Sequence, residues 1–146
     1  AAILKNSPDK IAFAVGASSG ESSAKAATGG KAAMGVSNHG AASAAVVAGK
    51  AKAGVVKNWW WDSNKSKFPT LEAYEIPGVS LQKNPDNVLT ACKAIDANTM
   101  LKITAAAFNS KEAFGAKEMK PFDSDALTFS LSLMEKGKID PMAYTW

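Results

Sequence analysis

Three consecutive tryptophans, Trp59-Trp60-Trp61, place the tightest constraint on this chain. Neighbouring side chains sit about 100° apart around a helix and on opposite faces of a strand, so three adjacent indoles cannot share one buried face. At least one of them needs a pocket of its own or a partner surface, and an amphipathic ring suits either.

The triplet is also a chemical border. Residues before it are almost entirely Ala, Gly, Ser, Val and Lys, and residues after it fall into Pro-bounded segments with helical punctuation. Charge follows the same border. Residues 1–57 carry seven lysines against Asp9 and Glu21, a balance of +5, whereas residues 58–146 carry ten lysines against eleven acids, a balance of −1. All 17 basic residues are lysine. Base readout and phosphate forks depend on guanidinium geometry, so no sequence-specific nucleic-acid partner is expected. Attraction to an anionic surface, including peripheral association with a membrane, remains open.

At 146 residues the chain suits one domain with its own core. The apolar fraction is 47%, but much of it is alanine, and the large aliphatic and aromatic residues cluster after residue 55. Most of the core is therefore expected there. Cys92 is the single cysteine, which excludes an internal disulfide and a Cys-rich metal site. The Ala-rich run 41–56 is broken by Lys50 and Lys52, so no membrane span is expected. The opening Ala1-Ala2, without Met, reads as a mature end left by a removed targeting peptide.

Along the chain, Ile11, Phe13 and Val15 alternate with alanines at the period of a short strand or an extended segment laid against a surface. From Gly16 to Gly54 only Met34, Val36, Val46 and Val47 are sizeable anchors. Such a segment buries too little to offset the entropy of ordering it, and is read as a flexible or extended arm. Alanine's helix propensity would let Ser22–Ala33 and Ala41–Val56 turn helical on a partner. Beyond the triplet, 62–67 reads as a polar turn and 68–78 as largely extended between Pro69 and Pro77. Asn84-Pro85-Asp86 opens a helix carrying Val88, Ala91, Cys92 and Ile95 on one face. Asp96 to Thr99 offers a second cap, before a stripe of Met100, Ile103, Ala107 and Phe114 that stops at Gly115. A third helix follows Pro121, capped by Asp123 or Ser124 and stopped by Gly137. Its caps favour helix over the strand-like alternation of Leu127, Phe129, Leu131 and Leu133. The tail, with Tyr144 and Trp146, is apolar enough to pack on this domain or on a neighbour.

Candidate chemistry is sparse. Ser22-Ser23-Ala24-Lys25 has a Ser-x-x-Lys spacing without the accompanying motifs of penicillin-recognising enzymes. Gly30-Lys31 and Gly49-Lys50 lack the upstream glycine and the following hydroxyl of a phosphate loop. The carboxylate pairs Glu72/Glu75 and Asp123/Asp125 are explained by capping and solvation. His39, in Asn38-His39-Gly40, is the single histidine and reads either as a solvated loop residue or as an axial ligand for a metal or a pigment's magnesium. Asn64-Lys65-Ser66 is a glycosylation sequon, informative only for a secreted protein. No catalytic set assembles, so no enzyme is expected.

Ile76-Pro77-Gly78-Val79-Ser80, Lys93-Ala94-Ile95-Asp96, Leu101-Lys102, Ala105-Ala106-Ala107 and Ala113-Phe114-Gly115 resemble, in order, runs of the peridinin-chlorophyll a proteins, which are all-helical light-harvesting proteins of the thylakoid lumen. The resemblance covers about residues 76–116. It implies a photosynthetic, plastid setting and contact with chlorophyll or carotenoid. Where that family carries a histidine pair this chain has Phe108-Asn109-Ser110-Lys111, so no binding residue is carried over.

The sequence thus leads to a mainly α chain: a low-complexity arm over 1–57 of largely extended or irregular structure, a Trp-rich junction over 58–67, and a helical domain over 68–146 with an apolar tail. The expected role is that of a non-enzymatic accessory subunit docked on a larger protein complex through Trp59, Trp60, Trp61, Phe13 and Trp146. A soluble carrier of an apolar or pigment ligand is the alternative, and a Lys-rich module for anionic surfaces a further one.

Overall fold

Three short parallel strands lie within the segment expected to be an arm: β1 (Ile11–Ala14), β2 (Met34–Val36) and β3 (Ala53–Val55). They are seen in a computed structural model that describes residues 2–16, 18–80, 88–143 and 145, with Ser18 described by its backbone alone. The strand order is β2-β1-β3, with Ala12 opposite Met34 on one side and opposite Gly54 on the other. A short helix, α1 (Ala2–Asn6), precedes β1. Helix α2 (Ser18–Thr28) links β1 to β2, and α3 (His39–Val47) links β2 to β3.

Alternation along β1 sends its side chains to opposite faces of the sheet. Ile11 and Phe13 pack with Ala24 and Ala32 on the α2 side, whereas Ala12 packs with Ala42 and Ala51 on the α3 side. Both faces of the central strand are covered, which is why all four of its residues are buried. The expectation of an extended or irregular arm over residues 1–57 is corrected here, as is the placement of most of the core after residue 55. The reason is geometric. On α2 the buried positions Gly20, Ala24 and Thr28 recur every four residues, so one helix face is made of small groups that lie close to the sheet. The other helix comes as near: a Cβ added to Gly54 would stand 3.3 Å from the Ala42 carbonyl oxygen. Close approach recovers in dispersion what alanine lacks in area.

The connections carry their own hydrogen bonds. Thr28 Oγ1 donates to the Ala24 carbonyl and accepts from the Ala32 amide, both at 2.9 Å, which ties the end of α2 to the approach to β2. Asn38 Oδ1 accepts from the Ala41 amide at 2.9 Å and caps α3. The Lys52 amide donates to the Lys10 carbonyl at 2.8 Å and aligns the entry of β3 with that of β1.

The Trp triplet lies in α4 (Asn58–Asn64), so the turn expected over 62–67 is the end of this helix followed by a 3-10 turn, Lys65–Lys67. Contacts divide the chain into residues 1–84 with 128–146, and residues 85–127. In the second unit α5 (Ala97–Asn109) begins where expected. Asp96 accepts from the Asn98 and Thr99 amides, and hydrogen bonds from Thr99 hold its carboxyl below its ordinary pKa. Gly115 takes the left-handed cap conformation, φ 64°. The helix expected from Asn84 is not formed over 88–95, where Val88, Ala91 and Cys92 are exposed; its cap, 84–86, lies outside the described residues. In the first unit α6 (Thr128–Lys136) is the helix expected after Pro121, and it packs on α2. Leu133 and Ile139 are buried there, and a Cβ on Gly137 would come within 3.0 Å of Lys25 Cβ.

By content the described chain is mainly helical. No helix among the described residues is long and apolar enough to cross a membrane. If the small-residue contact between α3 and β1 sets the stability of the sheet, Ala42→Leu costs about 1–3 kcal/mol in denaturant unfolding. Ala44→Leu, on the exposed side of the same helix, stays within about 0.5 kcal/mol.

Candidate functional site at the carboxyl edge of the sheet

Parallel strands put all their carboxyl ends at one edge, and with order β2-β1-β3 the chain path reverses between β1 and β3. Open α/β sheets bind ligands in the crevice outside such a reversal. Three loops meet at this edge. After β1, Val15 donates to the Val36 carbonyl and Gly16 turns with φ 76°, a conformation that favours glycine, before α2 begins. After β2, Ser37 and Asn38 lead into α3, whose first residue is His39. After β3, Val56 and Lys57 lead into α4.

His39 is therefore not a solvated loop residue. Its ring stands 5.7 Å from that of Trp60, and Trp60 in turn stands 6.1 Å from Phe68. Gly40 lies between the cap and this ring: a Cβ there would stand 3.2 Å from Asn38 Oδ1 and in ordinary contact with Trp60 Cζ2. Burial lowers the His39 pKa from its ordinary 6.5, and the ammonium of Lys57 lowers it further. Its Nδ1 is buried and has no hydrogen-bond partner among the described residues. A neutral imidazole with one shielded nitrogen, beside a lysine, can hold a ligand oxygen; which ring nitrogen carries the proton then depends on what Nδ1 meets.

The other residues expected at a site are scattered. Trp60 supports His39, Trp61 is half-buried and Trp59 is 57% exposed. Phe13 is 4% exposed and lies under α2, so its ring belongs to the core and offers no partner contact. Trp146 lies outside the described residues. In the Ser-x-x-Lys motif Ser22 is buried, and Lys25 pairs with Glu21 at 3.3 Å. No cluster of three or more His, Cys, Asp or Glu side chains able to hold a metal occurs among the described residues. Sequence reading missed Lys57 and Gly16 as parts of a site. Their signal was the alternation of short apolar runs with Ala-rich helical stretches, which points to a parallel sheet whose loops converge.

No family model matches this chain, and no curated protein or solved structure matches it.

Because the folded pKa of His39 is depressed, the native state binds fewer protons than the unfolded chain just below pH 6.5. Stability from this group is fully present above that pH and declines as pH falls through it. An NMR titration of the His39 ring is expected to show a midpoint below 6.5, which Lys57→Met raises without restoring the ordinary value, since burial is the larger cause.

Proposed function

We propose that this chain binds a small anionic ligand, without transforming it, at the carboxyl edge between the turn at Gly16 and Lys57. One observation carries the reading: His39 Nδ1 is shielded, and unpartnered among the described residues, at the strand ends beside a lysine. A buried polar atom left unpaired costs about 1–3 kcal/mol, and a ligand oxygen that meets Nδ1 once the ring turns outward recovers that cost. Lys57 supplies charge, and the first backbone amides of α2, which opens just beyond Gly16, favour an anion at the same edge. Trp60 backs the imidazole and holds it in place. This gives the carrier reading of the sequence a polar ligand in place of an apolar or pigment one.

The exposed indole of Trp59 favours a second reading, docking on a larger protein complex at this side of the fold. Thermal unfolding with phosphate, sulfate or acetate at matched ionic strength distinguishes the two. The ligand reading expects one of these anions to raise the midpoint, and expects His39→Ala and Lys57→Met each to weaken its binding by about tenfold or more. No shift beyond that of sodium chloride contradicts it. Elution of the native protein inside a large complex that Trp59→Ala releases is the result expected from docking.

A further inference from the structure

The same strand polarity that gathers the candidate site at one edge gathers lysines at the other. Lys10 immediately precedes β1, Lys31 lies in the approach to β2, and Lys50 and Lys52 precede β3. The bond from the Lys52 amide to the Lys10 carbonyl sets two of these side by side. Lys5 lies on α1, which leads into the same edge, and Lys138 reaches it as well, its Cβ 3.4 Å from where a Cβ on Gly30 would stand. All six are exposed, and none takes part in an ion pair among the described residues. The nearest acids along the chain are Asp9 and Asp140, which leaves a balance of +4. The carbonyl ends of α2 and α3 also face this edge and offset about one charge. The patch therefore stays strongly positive.

Two exposed apolar side chains come from elements that begin or end at this edge: Ile3 on α1, 46% exposed, and Val47, the last residue of α3, 56% exposed. We propose that the amino edge of the sheet is a docking surface for an anionic lipid bilayer. The lysines would face the headgroups, with Ile3 and Val47 entering the interface. Lysine ammonium groups act as point charges on a diffuse anionic surface and need no fork geometry, and each is worth about 1 kcal/mol near an anionic leaflet. A nucleic acid is disfavoured by the absence of arginine. The face lies opposite the candidate ligand site, so either proposal can fail without the other.

Co-sedimentation of the full chain with vesicles tests the proposal. Partitioning onto phosphatidylserine and phosphatidylcholine mixed at about 3:7 is expected to exceed that onto phosphatidylcholine alone by about tenfold or more, and to fall as salt rises. The triple change Lys10→Glu, Lys50→Glu and Lys52→Glu should abolish the difference, and the milder glutamine triple should reduce it with unchanged thermal unfolding. Reversal of Lys93, Lys111 and Lys117, which removes the same net charge from the other unit, should change partitioning by less than about twofold. The proposal is overturned by equal partitioning onto both vesicles, by an equal loss in the control triple, or by tighter binding to duplex DNA or polyglutamate at the same salt.

Discussion

Everything in the first unit depends on how closely two small-residue helix faces approach one central strand. β1 has four residues, and only Ile11 and Phe13 are large. Each contributes about 1.5–3 kcal/mol by burial, which alone would not hold a three-stranded sheet together. The remainder comes from alanines at full burial, Ala12, Ala24 and Ala42 among them, where backbone meets backbone with little side chain between. Alanine also has the highest helix propensity, so the residues that permit close packing are those that cost least to hold in α2 and α3. Low complexity in this segment reflects a packing solution in which size, not variety, is the constraint.

Strand direction then decides where chemistry can occur. In a parallel sheet every carboxyl end points one way and every amino end the other, so loop residues far apart in sequence become neighbours. Gly16, His39 and Lys57 meet by that rule at one edge, and Lys10, Lys31 and Lys52 at the other. The tryptophans sit in α4, directly after the carboxyl end of β3. Trp60 turns inward to meet His39 and Phe68, whereas Trp59 faces solvent, the division that adjacent indoles on one helix enforce.

The sequence made local punctuation legible and long-range pairing illegible. The cap at Asp96, the stop at Gly115, the helix after Pro121 and the extended period of Ile11, Phe13 and Val15 arise from side-chain chemistry within a few residues, and each is present in the structure near its expected place. The pairing of β1 with Met34–Val36 and Ala53–Val55 does not, because strands of three residues carry almost no periodicity and their partners lie across whole helices. His39 was visible as a residue but not as a site. Its setting depends on Trp60, some twenty positions away, and on the polarity of a sheet that composition argued against. Over 88–95 the reverse occurred: good capping chemistry gave no helix, and Val88, Leu89, Ala91 and Cys92 are exposed with little tertiary packing to support one.

The central claim is that residues 11–56 fold as a sheet within the chain itself, without a partner to order them. Amide hydrogen exchange of Ile11 to Ala14 in the isolated protein tests this most directly. Exchange slowed to the level of global unfolding for these central-strand amides is the predicted result. Exchange at the rate of an unstructured peptide would contradict it.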